Sequence, residues 1–217
     1  LGRFQIKKVF KDGVLVAEDG KMISRHVGIS SFLKKRVQSS VRIQDIKSDA
    51  FIIRSNQPLA KVIQLIPDQI VTKKVMKKLV LKNGVALPNI KEDIVKIAVV
   101  ERHRATGNIG IAFVQGFGLE KGAIGSSVAH DSHNLAIVGT NDEDMLKAVT
   151  AIKKMKGGLV VVSEGKILAS LPLPIAGLMT DAPVSQVNGQ LQALLRAARS
   201  LGCKLPDPFM TLSFLSL

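Results

Sequence analysis

Apolar residues recur along the chain with two periods. Val14-Leu15-Val16-Ala17, Lys61–Ile66, Ile94–Val100 and Leu135-Ala136-Ile137-Val138 are short apolar runs of strand length. The segments opening at Asn141 and at Pro183 instead repeat apolar residues every three or four positions, which predicts helices. In the first, Met145, Val149, Ile152 and Met155 mark one face, Asn141 can cap the start, and Gly157-Gly158 follows the end. In the second, Pro183 opens the helix, Val184, Val187, Leu191, Leu194, Ala198 and Leu201 form the face, and Gly202 stops it. The pattern therefore predicts an α+β fold, a mixed β-sheet with at least two long helices on one face.

Turn residues punctuate the remaining runs. Residues 4–23 alternate imperfectly around Lys11-Asp12-Gly13 and Glu18-Asp19-Gly20, which predicts a short β meander completing a small β domain. Residues 30–40 are basic and bracketed by serine pairs, as in a connector or short helix. The expected division is 1–40 for the end of the small β domain plus its connector, and 41–217 for the α+β domain. Within the second part, Val41–Ile53 carries strand signals, and Pro67-Asp68 stops the run at 61–66. Gln69–Val80 reads as helix or edge strand, and Asn83-Gly84 is a tight turn. Lys166–Leu171 pairs back on Leu159–Ser163 around Glu164-Gly165, and Pro172 and Pro174 keep the run that follows from being a central strand. The apolar tail from Leu205 to Leu217 either packs on the body or is part of an element cut short.

Hydrophobic residues make up 46% of the 217, enough to exclude a disordered chain. With no Trp or Tyr, the core has to be aliphatic. A formal net charge of +14 brings polyanions into consideration. The lysines, however, lie in short clusters such as Lys73-Lys74, Lys77-Lys78 and Lys153-Lys154, without interleaved stacking aromatics, which argues against nucleic acid. Cys203 is the single cysteine, so no internal disulfide or cysteine-based zinc site forms, and a reducing, cytoplasmic setting is expected. No apolar run approaches the roughly 18 residues of a membrane span, and no signal peptide opens the sequence. It begins with neither Met nor a targeting pattern, as a piece of something longer would.

The chemistry concentrates between Gly122 and Thr140, where His130-Asp131-Ser132-His133-Asn134 interrupts two apolar runs. A polar knot on a rigid frame is where sites tend to sit. Two imidazoles three residues apart, with Asp131 between them, can converge on a metal, face a ligand, or form an ordinary hydrogen-bonded turn. A second charged cluster, Glu101-Arg102-His103-Arg104, ends the most apolar strand, a favoured place for a site, although a plain loop with solvated arginines reads the same way. Ser126-Ser127 lacks a nucleophile elbow, and Gly116–Gly122 lacks the strand, G-x-G-x-x-G and helix order of a dinucleotide loop. Cys203 reads as an inert core thiol.

The stretches ERHRATGNIGIAFVQGFGLEKGAIGSSVAHDSHNLAIVGTNDEDM, LPLPIAGLM and GCKLPDPFMTLSFL resemble the C-terminal part of the bacterial adenine deaminases, from about Val41 to Leu217. The opening FQIKKVFKDGVLVAEDGKMI resembles the family segment that follows the amidohydrolase barrel. The resemblance implies hydrolysis of adenine to hypoxanthine and ammonia, with a divalent metal, manganese or iron, activating water. It also implies that the metal belongs to a barrel outside this chain. The four histidines, His26, His103, His130 and His133, form no H-x-H motif, and no metal ligand or catalytic residue is expected here. The substrate-pocket candidates are His130, Asp131, His133, Asn134, Arg102 and His103. Expected partners are adenine, the N-terminal barrel and further copies of the chain, with no membrane. The rival readings are a non-catalytic interaction module and a basic nucleic-acid binder.

Overall fold

The computed structural model describes residues 5–23, 31–38, 40–67 and 69–216, with the backbone alone for 31–34. Phe4, His26, Ser30, Ser39, Asp68 and Leu217, which enter the expectations above, lie outside the described residues. The chain divides into two compact units, Leu1–Lys34 and Lys35–Leu217.

In the first unit, β1 (Lys8–Lys11), β2 (Val14–Glu18) and β3 (Lys21–Met22) form an antiparallel meander. Both turns, Asp12-Gly13 and Asp19-Gly20, have positive φ at both residues. That geometry matches the right-handed twist of the flanking strands. Phe10, Val14 and Met22 leave most of their surface exposed. Helix α1 (Ser31–Gln38) follows, the helical alternative for the basic connector.

The second unit is built on an eight-stranded sheet. Its strands are β5 (Leu59–Leu65), β6 (Thr72–Lys78), β9 (Ile94–Val100), β10 (Ile109–Gln115), β11 (Ala123–Ser126), β12 (Leu135–Gly139), β13 (Gly158–Ser163) and β14 (Lys166–Pro172). The order is β14-β13-β11-β12-β9-β10-β5-β6, antiparallel throughout except for the parallel pair β10 and β5. A small sheet of β4 (Ile53–Arg54), β7 (Val80–Lys82) and β8 (Val85–Leu87) accompanies it. The fold is α+β with a mixed sheet, as the periodicity predicts.

The helices do not share one face. Leu135 and Ile137 of β12 and Val160 and Val162 of β13 pack with Met145, Ala148 and Ile152 of α2 (Asp142–Met155). The alternate residues Ala136, Val138, Leu159 and Val161 pack with Leu194 and Ala198 of α3 (Val184–Ser200) and with Phe209 and Leu212 of α4 (Pro208–Phe214). Every residue of β12 and β13 is buried. Strands apolar at successive positions need cover on both faces, so the helices divide between them. Pro172 closes β14 at the sheet edge, where a missing N–H costs no ladder bond.

One further expectation changes. Val41–Ile53 is not a strand: it runs without regular structure to a 3-10 turn at Ser48–Phe51, and only Ile53 joins a ladder. The turn drops Phe51, which is fully buried, into the cluster under α2. β10 carries Gly110 within its apolar IGIAFVQ run and is strand all the same. The tail is a helix packed on the body, and Asp207 caps it by accepting hydrogen bonds from the Phe209 and Met210 N–H groups.

Gln69–Val80 resolves as the edge strand β6. Its Lys73, Lys74, Lys77 and Lys78 sit on the open edge of the sheet, where charge discourages pairing with another chain. Among the described residues no helix is long and apolar enough to cross a membrane.

Candidate functional site

The register of two central strands brings the charged clusters together. Leu135 of β12 lies opposite Val100 of β9 in an antiparallel ladder. The segment leaving β9 and the segment entering β12 therefore meet at one end of the sheet, and Glu101–Arg104 stands beside His130–Asn134.

Arg102 lies at the centre with 2% of its surface exposed. Its Nε donates to the His133 carbonyl, Nη1 to Ala176 O at 3.1 Å and Nη2 to Ser127 O at 3.3 Å. Its own carbonyl accepts from the Arg42 N–H at 2.7 Å. Burial lowers the guanidinium pKa. Carbonyl dipoles rather than a carboxylate face the charge in these three bonds, so the planar fork is satisfied by backbone at three separate places.

Glu101 arranges the other cluster. One carboxylate oxygen accepts from the His103 N–H at 2.5 Å and the Arg104 N–H at 2.8 Å, and the other from the Thr106 N–H at 2.9 Å and hydroxyl at 3.1 Å. Desolvation opposes the charge, but the bonds from Thr106, Arg104 and His103 outweigh it and lower the pKa to about 2 from 4.5. A depressed carboxyl pKa means that the unfolded loop binds the proton first as pH falls. The loop's contribution is therefore full above pH 4.5 and lost toward pH 2. We expect the His103, Arg104 and Thr106 amides to lose exchange protection over that window, and Glu101→Gln to abolish the dependence. Amide exchange measured against pH checks both.

The loop so arranged presents His103, whose Nε2 lies 2.8 Å from Ser132 O. A carbonyl only accepts, so Nε2 carries the proton. His130 is held by its own N–H on Ser213 O at 2.7 Å, and its carbonyl accepts from the Ser216 hydroxyl at 3.2 Å. Its ring lies 4.8 Å from the Phe214 ring and 5.7 Å from that of His133. Phe214 also lines an apolar pocket of about 330 Å³ with Leu65, Ile70 and Met210. His133 adopts φ +48 and donates its N–H to Ala129 O at 2.6 Å.

His133 Nδ1 and Asn134 Oδ1 are buried without a hydrogen-bond partner among the described residues. Desolvation lowers the His133 pKa, reinforced by the charges of Arg102, His130 and His103 and opposed by Asp131. The imidazole is thus held neutral, able to accept at one nitrogen and donate at the other. Asp131 and Ser132 are exposed. His130, Asp131 and His133 do not converge as a ligand set, and no group of three or more His, Cys, Asp or Glu among the described residues could hold a metal ion.

The other candidate chemistry is structural. Ser126 and Ser127 are fully buried. Ser127 Oγ donates to Gly177 O at 2.5 Å and accepts from the Gly158 N–H at 2.7 Å, which pins β13 to the Ile175–Met179 turn. Gly122 is where a Cβ would stand 2.3 Å from Val162 O, a packing requirement. Cys203 is buried and unpaired, and its thiol pKa is raised by burial. Sequence reasoning misses Phe214, Ser213, Ala176 and Gly177, which reach the site from 43 to 84 positions beyond His130 and His133. The string LPLPIAGLM carries the one signal for Ala176 and Gly177, a glycine three residues after the second of two prolines.

Residues 69–217 match the family described as the adenine deaminase C-terminal domain. Among curated proteins, the adenine deaminase of Desulfatibacillum aliphaticivorans is 49% identical over 99% of this chain, covering 37% of the relative. Adenine deaminase 2 of Carboxydothermus hydrogenoformans is 46% identical over 100% of the chain and 38% of its own length. The adenine deaminase of Lysinibacillus sphaericus is 39% identical over 100% of the chain and 37% of its own length. The chain thus spans somewhat over a third of the curated relatives it matches. With a family match over the greater part of its length, on the same residues that build the histidine-lined end of the sheet, the chain belongs to the adenine deaminase C-terminal domain family.

Proposed function

We propose that this domain covers the purine pocket of a full-length enzyme that hydrolyses adenine to hypoxanthine and ammonia. The observation that carries the reading is the gathering of His103, His130, His133 and Asn134 at one end of a rigid sheet, with polar atoms of His133 and Asn134 lacking a partner among the described residues. A purine edge alternates hydrogen-bond donors and acceptors. Imidazoles and a carboxamide offer both donors and acceptors to match it. In this reading the N-terminal barrel is the domain's partner and holds the divalent metal, manganese or iron; among the described residues no ligand set converges. The metal supplies activation of water for attack at the carbon bearing the amino group. Residues of this chain orient the purine and exclude bulk water. Arg102, with its guanidinium turned onto carbonyls, acts behind the loop rather than on the substrate.

In the full-length enzyme, His130→Ala and His133→Ala are each expected to lower kcat/KM for adenine about tenfold or more, the worth of one well-placed hydrogen bond in a desolvated site. Steady-state kinetics with adenine, alongside metal content, measures this. Turnover and substrate affinity unchanged in both variants would remove the reading. The 217-residue chain, supplied with metal, is expected to release no ammonia from adenine.

A further inference from the structure

We propose that Arg102 is the positioning residue of the His130–Asn134 loop, its guanidinium tying the loop's two ends to each other and to the Ile175–Met179 turn. Ser127 stands at the point where the chain leaves β11, and His133 just before it re-enters β12. Nη2 and Nε bond the carbonyls of these two residues, so the span between them is closed by one planar group. Nη1 reaches Ala176, which belongs to neither the loop nor its strands.

That turn is built to receive the guanidinium. Ala176 and Gly177 both have positive φ, and the turn is closed by the Ile175–Met179 bridge. A Cβ on Gly177 would stand 2.6 Å from Arg102 Nη1 and 2.9 Å from Val41. Ser127 reinforces the same junction by donating to Gly177 O. The turn is held from behind as well, since the Ala176 N–H donates to Val37 O at 3.0 Å.

Lysine cannot replace this. An ammonium is a single point of charge, whereas the three carbonyls lie on separate segments and need the three nitrogens of the fork. Desolvation disfavours protonation of His133 and the nearby guanidinium adds to it, so one residue both positions that imidazole and contributes to its charge state.

Amide exchange and histidine titration by NMR on the 217-residue chain test the proposal in Arg102→Lys, Arg102→Met and Gly177→Ala. In all three, exchange at the His133 amide is expected to rise at least about tenfold, the loss of one net hydrogen bond, while amides of β9, β11 and β12 keep their protection. In Arg102→Met the His133 titration midpoint moves up toward the ordinary 6.5, because a neighbouring positive charge is gone. Arg102→Lys retains charge and shifts it less. Wild-type exchange at His133 in Arg102→Lys and Gly177→Ala, with an unmoved midpoint in Arg102→Met, overturns the proposal. If Arg102→Met does not fold, the exchange result in the other two variants decides.

The consequence for catalysis rests on the function proposed above. In the full-length enzyme, Arg102→Lys is then expected to reduce kcat for adenine at least about tenfold, as a displaced orienting group does. Failure of His130→Ala to affect turnover would count against that reading and leave the exchange result standing.

Discussion

Asp142→Ala is expected to be among the most destabilising single substitutions in this domain, at about 3 kcal/mol, the lower end of the range for breaking a buried ion pair. Lys96 lies in the middle of β9, and only 1% of its surface is exposed. Its ammonium donates to Asp142 at 2.6 Å and to Phe51 O at 2.8 Å. Removing Asp142 leaves a charge in the core with one neutral acceptor. The lower end applies because Asp142 retains 26% side-chain exposure, so water screens part of the loss. Thermal unfolding should fall by roughly 10 °C, at about 2–4 °C per kcal/mol for a domain this size. Lys96→Met is expected to cost less, since it removes the charge together with its need for a partner and keeps the volume. Equal losses in the two variants would show that the pair acts through packing alone.

Gly157→Ala is expected to cost about 2–4 kcal/mol, combining strain with overpacking. Its φ is +110, outside what an alanine adopts at low cost, and a Cβ would stand 2.3 Å from Gly177 Cα and 2.9 Å from Leu173 O. Neither contact can yield by a side-chain rotation. The Ile175–Met179 turn would have to move, and with it an anchor of Arg102. Stability should therefore fall together with protection of the His133 amide, which links the helix stop to the candidate site. Gly189 provides the contrast. It sits in α3 with an ordinary φ, and a Cβ added there would meet nothing within 4 Å, so Gly189→Ala should stabilise by about 0.5–1 kcal/mol. Denaturant unfolding of both variants checks the opposite signs.

Gly157 also shows how far local reading goes. A glycine after Lys-rich helical turns predicts a stop, and the helix does stop there. The αL residue is Lys156, whose N–H bonds Ile152 O and Lys153 O. Gly157 is required for a different reason, the approach of a turn twenty positions on. Asn141 behaves as its residue type suggests, accepting from the Asp144 N–H at 2.8 Å. Caps and turns succeed because their hydrogen bonds close within a few residues. The tail reads as an unassigned apolar run because its cap, Asp207, lies between two prolines that mask the start of a seven-residue helix. The His130–Asn134 loop is legible as a polar interruption, yet which of its atoms face inward is not.

What the sequence by itself determined is local in range or long in motif: the α2 and α3 helices, the turns at Asp12-Gly13, Asp19-Gly20 and Asn83-Gly84, the apolar strands, and the family. Periodicity encodes which residues share a face, since about 3.6 and 2 residues per repeat follow from backbone geometry. What only the tertiary structure decided is which face meets which partner. The division of helices between the two sides of the sheet, the parallel pairing of β10 with β5, and the inward turn of Arg102 onto Ser127, His133 and Ala176 all join segments far apart in the chain. No local propensity specifies such contacts. They form because strands apolar on both sides must be covered twice, and because a buried guanidinium must find acceptors wherever the packed backbone leaves carbonyls free.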